Sequence, residues 1–260
     1  MNNGIANEAF QTLPGDEKKI AAFFRNQNKK ERAEYKGGAF AQILDNTANA
    51  NHSLKNLKIE FAKFVSMPEG TPEQVKAKEQ FYQTFTNGKI WFRLKNLADL
   101  QVGQFFVPKT EENRLKIITD KQYRNFLYGG TQILDRGASM ATAQKKFFFH
   151  WFLEFPEVFS KGGFDCVLGN PPFLGGQKIT GKFGNHFAEY IKHKYAPIGS
   201  VDLVTYFFRR FFSILKKGGF QSLISTNTIA QGDARIGGLG EIIKQGGTIN
   251  HAVRSIKWPG

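Results

Sequence analysis

Seven Gly-Gly pairs punctuate this chain of 260 residues, beginning at Gly37, Gly129, Gly162, Gly175, Gly218, Gly237 and Gly246, and five of them fall after residue 160. Glycine pairs mark turns, so the carboxyl-terminal part reads as a succession of short elements. Phe164 to Leu168 is a short apolar run between glycines. Val201 to Lys217 is an amphipathic helix bearing Leu203, Val204, Phe207, Phe208, Phe211, Phe212 and Leu215. Phe220 to Thr226 reads as a second buried strand, Gly238 to Lys244 as a short helix and Ile249 to Trp258 as a third strand. Strands separated by helices imply a parallel α/β sheet with right-handed crossovers. Such a sheet binds ligands beyond the carboxyl ends of its strands. Two segments take that position: Asn170-Pro171-Pro172-Phe173, and the loop from Thr226 to Asp233.

Before about residue 150 the pattern is mostly helical. Glu17 to Glu34 is a charged helical segment, and Leu54, Leu57, Phe61, Phe64 and Val65 share one face at three- and four-residue spacing. Thr71-Pro72-Glu73 opens a helix with a capping residue and a proline at the first helical position, and Phe81 and Phe85 lie one turn apart on it. Gln104 to Val107 is a short extended candidate ending at Pro108. Thr119-Asp120 caps a helix that stops at Gly129-Gly130. The division expected is a mainly helical region over 1–145, followed by an α/β portion over 146–260. The aromatic stretch Phe147 to Pro156 joins them, read as a buried helix entering the sheet core in preference to a platform for nucleic-acid bases.

Lys plus Arg outnumber Asp plus Glu by 36 to 22, a formal net charge of +14 with a pI near 9.8. That balance points to a polyanionic partner. Cys166 is the only cysteine, and His52, His150, His186, His193 and His251 show no ligand spacing, so neither a disulfide nor a metal site is expected. With no basic leader and no run near the ~18 apolar residues of a membrane span, the chain reads as cytoplasmic.

The tetrapeptide carries the chemistry. An adenine amino group is a poor nucleophile, because its lone pair is delocalised into the ring, but its two hydrogens are good donors. If the Asn170 side-chain oxygen and the Pro171 carbonyl each accept one, they favour a pyramidal nitrogen whose lone pair points at an electrophile. Pro171 and Pro172 stiffen this geometry by fixing φ. Phe173 can stack on the base, worth ~1–3 kcal/mol.

Asn-Pro-Pro-aromatic after a hydrophobic strand resembles the catalytic motif of amino-group methyltransferases, above all the N6-adenine DNA methyltransferases. The longer context, Phe149 to Phe159, Phe164 to Gly176, Ser225 to Asp233 and Trp258-Pro259-Gly260, is similar to the large type IIG methylases of restriction-modification and phage-defence systems. The resemblance implies a Rossmann-like sheet, S-adenosylmethionine as methyl donor and double-stranded DNA as partner. It also implies that Asn170 and Pro171 orient the target amine of a flipped adenine, that Phe173 stacks on it and that Pro172 packs between base and cofactor. Such enzymes bind the cofactor on a glycine-rich turn after the first strand, with an acidic residue ending the second. Tyr35 to Phe40 has glycines but follows a helix, and reads as a linker. The expectation is therefore the carboxyl-terminal half of a methyltransferase sheet, an incomplete cofactor site and a fragment of a larger methylase with little activity of its own. The alternatives are a non-catalytic DNA-binding or assembly fragment, or an RNA or protein amino-group methyltransferase with the same motif.

Other candidates are weaker. Gly175 to Asn185 reads as a loop, either closing over the target strand with Lys178 and Lys182 on phosphates or a plain surface loop. Asp202 suits helix capping. Arg209 and Arg210 are either solvated or phosphate contacts. Asn227, Gln231 and Asp233 sit at a strand end beside the expected cleft. No nuclease constellation is present.

Overall fold

The computed structural model describes residues 3–36, 47–128 and 135–255, with backbone alone over 47–54. The glycine-bearing stretch at 37–40, the Gly129-Gly130 stop, the side chains of His52 and Leu54, and the terminal residues 256–260 lie outside that description. The chain divides into two compact units, Met1–Glu157 and Val158–Gly260. Among the described residues no helix is long and apolar enough to cross a membrane.

The first unit is helical: α1 (Lys18–Lys36), α2 (Thr47–Ser66), α3 (Pro72–Thr86), α4 (Lys89–Gly103), α5 (Asp120–Leu127), α6 (Gly137–Lys145) and the single turn α7 (Trp151–Glu154). Two of the expected helix starts carry reciprocal caps. The Gln74 N–H donates to Thr71 Oγ1 and the Thr71 N–H to Gln74 Oε1, at 3.3 and 3.2 Å, with Pro72 following; Thr119 and Gln122 repeat the arrangement at α5. On α2, Leu57 and Phe61 are buried while Val65 is exposed. The Phe61–Phe85 and Phe64–Phe81 rings, 6.1 and 6.5 Å between centroids, hold α2 to α3. Central helix α4 buries Leu94, Leu97, Ala98 and Leu100. It meets α6 so closely that a Cβ on Gly103 would stand 2.7 Å from Ser139 Cβ.

Two expectations fail here. Gln104 to Val107 is not extended; it is a tight turn prolonging α4, with Phe106 N–H on Gly103 O at 2.8 Å. Lys109 explains the bend. Its ammonium is buried and donates to Gln104 O and Val107 O, both at 2.6 Å, and burial pulls its pKa down to about 8. Nor is the aromatic stretch a buried helix: α7 is one turn, only its Leu153 is buried, and Phe147 is 89% exposed at φ 53°.

The second unit is built from β1 (Phe164–Gly169), α8 (Gly176–Phe183), α9 (Asn185–Lys194), α10 (Leu203–Phe212), β2 (Leu215–Leu223) and a helical run made of α11 (Gly232–Ala234), a π-turn (Arg235–Gly240) and α12 (Glu241–Lys244). β1 and β2 are parallel, the only strands among the described residues, with Cys166 beside Phe220 and Gly169 beside Leu223. This is a mixed, helix-rich α/β unit, and the third strand is corrected, since 249–255 is irregular where the sequence suggested a strand. The α10 boundary also moves: the helix ends at Phe212, and β2 begins at Leu215 because a bulge takes up Lys216 to Gly219. Gly218 stands there at φ 78°.

The core of this unit lies between helices, formed by Ile179, Ala188, Ile191, Val201, Leu203, Tyr206 and Ala234. The sheet is marginal to it. One face, with Val167 and Gly169, is partly covered; the other exposes Cys166, Leu168 (73%) and Phe220 (64%). The strands expected to be buried are therefore half-open, because no described element lies over that face.

Candidate functional site

Parallel pairing places the carboxyl ends of β1 and β2 at one edge. The Ile224 N–H donates to Gly169 O at 3.1 Å, prolonging the pairing by one residue. Asn170 to Phe173 leaves β1 beside the segment leaving β2. Within the tetrapeptide, Pro171 is buried whereas Asn170, Pro172 and Phe173 are exposed, Phe173 at 49%. A proline anchored in protein thus carries a solvent-facing amide on one side and a solvent-facing ring two residues on.

The following chain is tied back. The Leu203 N–H donates to Leu174 O at 2.8 Å, which fixes the exit from the tetrapeptide to the start of α10. Asp202 stands at the N-cap position of that helix but makes no side-chain cap bond. Its Oδ2 instead accepts from Thr228 Oγ1 at 3.0 Å and from Thr226 Oγ1 at 3.5 Å, and the two hydroxyls are 2.6 Å apart. The capping expectation for Asp202 is corrected: its carboxylate links the loop after β2 to the segment after Phe173. Sequence reasoning missed this link, and the available signal was the hydroxyl pair at 226 and 228 in a strand-end loop.

The remaining candidates separate. Asn227 is exposed and its amide donates to Ser255 Oγ at 3.4 Å. Gln231 is also exposed. Asp233 packs against Gly199, where any Cβ would overlap its carboxylate. Lys178 and Lys182 do not lie on a loop: Gly176–Phe183 is helical, anchored by buried Ile179, and ends at Gly184 with φ 84°. Both lysines are exposed on it. Arg209 is not a fully solvated charge, since Nη1 of its guanidinium donates to Tyr195 O and to Gly237 O. Burial pushes the Tyr195 hydroxyl up to about 12, so it stays protonated near neutrality. On β1, a hydrogen bond and ion pair from Lys216 hold the Asp165 carboxyl below its usual range.

Among the described residues no group of three His, Cys, Asp or Glu side chains stands together as a metal site. Nor do they offer a cradle for S-adenosylmethionine. The segments following β1 and β2 are Asn170–Phe173 and Ile224–Gln231, neither of them glycine-rich, and only Tyr35 and Lys36 of the other candidate turn are described.

A family model described as Eco57I restriction-modification methylase matches residues 21–253. The chain is also 27% identical over 119 residues to a protein of Escherichia coli O9:H4 (strain HS) named adenine-specific methyltransferase BrxX. That match covers 46% of this chain and 9% of the relative's length. No solved structure matches.

Proposed function

The chain belongs to the Eco57I restriction-modification methylase family, and we propose from this premise that it carries the base-receiving segment of a DNA adenine-N6 methyltransferase. The observation that carries the reading is the position of Asn170 to Phe173: at the carboxyl end of β1, with Pro171 buried and the Asn170 amide and Phe173 ring open to solvent. An adenine turned out of the duplex would lay its face on Phe173. Its amino group would donate one hydrogen to the Asn170 side-chain oxygen and the other to the Pro171 carbonyl. Both acceptors draw the nitrogen towards a pyramidal shape and aim its lone pair outward, while Pro172 walls the far side.

S-adenosylmethionine supplies the methyl group in this reading. The described residues do not form its site. We read the chain as part of a larger cytoplasmic methylase, in keeping with a relative of which it matches only 9%. Purified chain is expected to transfer little labelled methyl to adenine-containing duplex, and robust transfer refutes that part of the proposal.

The base-receiving role is tested separately, with a duplex carrying 2-aminopurine at a mismatch, where eversion costs least. Binding of the chain should raise the fluorescence as the probe unstacks. Asn170→Ala and Phe173→Ala should weaken that rise and leave overall duplex affinity intact, because phosphate contacts dominate affinity. Identical signals from wild type and both variants would remove the tetrapeptide from the site.

A further inference from the structure

Lys18, Arg25, Lys29 and Lys36 recur along α1 at intervals of seven, four and seven residues. At 100° per residue these spacings bring all four within an arc of about 40°, and at 1.5 Å per residue the row is about 27 Å long. All four are exposed. Ala22 stands in the gap between Lys18 and Arg25, about 40° from the row's axis, and Arg32, as far to the other side in the gap before Lys36, turns into the fold to donate to Asn3 O, Ile5 O and Asp120. The acids of this helix point elsewhere: Glu31 is buried and accepts the Lys121 N–H at 2.9 Å, and Glu34 lies 3.9 Å from Lys30. Among the described residues none of the four cations has an ion-pair or hydrogen-bond partner.

The arrangement works against the helix that bears it. Arg25 and Lys29 are like charges at i,i+4, and Lys18 adds positive charge to an N-terminus whose first turn has no acidic residue. The buried face of the helix holds the row rigid. Ile20, Phe24 and Asn28 are buried, and the Asn28 amide donates to Ile5 O at 3.1 Å and to Asn7 Oδ1 at 2.8 Å. A straight, rigid row of uncompensated cations is complementary to a rigid polyanion. Over about 27 Å, B-form DNA presents about 16 phosphate charges.

We infer that α1 is a phosphate-tracking rail for duplex DNA, a contact that positions the substrate and reads no base. The choice of DNA as the polyanion rests on the methylase reading above; the rail itself rests on the four cations.

The test measures duplex affinity of the full chain by anisotropy across a salt series. Wild type is compared with a variant carrying Lys18→Gln, Arg25→Gln, Lys29→Gln and Lys36→Gln. A control of equal charge carries Lys55→Gln, Lys58→Gln, Lys76→Gln and Lys89→Gln, and circular dichroism verifies that all three are folded. The rail variant should lose about 3–4 from the slope of log affinity against log salt, with the control much closer to wild type. An unchanged slope in the rail variant, an equal loss in the control, or no duplex binding by wild type would overturn the rail. Tighter binding of a matched RNA duplex would overturn its assignment to DNA. The 2-aminopurine response of Asn170 and Phe173 variants is read in a different assay, so either proposal can fall while the other stands.

Discussion

Replacing Asp120 by alanine should cost the first unit about 3–5 kcal/mol, the usual effect of breaking a buried ion pair from one side. The carboxylate is fully buried. Its Oδ1 accepts from the Ile5 N–H at 2.8 Å and from Arg32 at 3.4 Å, and its Oδ2 accepts from Arg124 Nε at 2.6 Å. Alanine therefore deprives the Arg124 guanidinium, whose side chain is only 7% exposed, of its carboxylate while the Tyr35 ring and the Tyr128 hydroxyl stay beside it, and leaves the Ile5 N–H without its acceptor. Arg32 is less affected, being 25% exposed and also donating to Asn3 O and Ile5 O. With a urea m-value of about 2 kcal/mol/M, the midpoint should fall by roughly 2 M. Because the two units need not unfold together, the loss is best read by hydrogen exchange of α4 and α5 peptides under urea, which reports this unit alone. A second variant isolates the cause. If the stranded charge dominates, adding Arg124→Met to Asp120→Ala should restore at least about 2 kcal/mol. A loss below about 1 kcal/mol in the single variant, or a double variant less stable than the single, refutes the argument.

Lys109 sets a pH dependence with a definite sign. Its pKa in the fold, about 8 against an ordinary 10.5, means that the unfolded chain holds the extra proton between those values. Stability of the first unit should rise as pH climbs from about 8 to about 9.5, below the range in which tyrosines ionise, and Lys109→Met should flatten the rise; a fall over that window contradicts it. Gly163→Ala should damage the second unit far more than Gly218→Ala. Both glycines have positive φ, 128° and 78°, but a Cβ on Gly163 would run into the Ile214 carbonyl whereas nothing lies within 4 Å of one on Gly218. The latter should cost only about 1–2 kcal/mol, and thermal unfolding ranks the pair. Asp202→Ala should speed hydrogen exchange over residues 224–231 by releasing Thr226 and Thr228. Asp202→Asn, which keeps an acceptor oxygen, should restore part of the protection, and equal exchange in all three proteins would show that the carboxylate ties nothing.

Signals confined to a few adjacent residues were legible in the sequence. Thr71-Pro72 and Thr119-Asp120 begin helices as read, since a cap is satisfied within four residues. β1 starts at Phe164 as expected, with the tetrapeptide just beyond it. What escaped depends on distant partners. Gln104 to Val107 has the composition of a strand, yet the Lys109 ammonium gathers its carbonyls into a turn. Gly175 and Gly184 read as loop residues and instead flank a helix whose Ile179 is held by the core. Ile249 to Ser255 alternates like a strand but has no described neighbour to pair with. Asp202 has the place of a cap, and its nearest donors are hydroxyls 24 and 26 residues away.

The open face of the sheet has a mechanical consequence. Asn170 is bonded directly to the last residue of β1, and that strand is paired along one edge with β2, which in turn packs against α10. Leu168 and Phe220 present bare hydrocarbon on the other. A surface laid on that hydrocarbon would stiffen the stem from which Asn170 projects, so the steadiness of that side chain depends on what covers the back of the sheet.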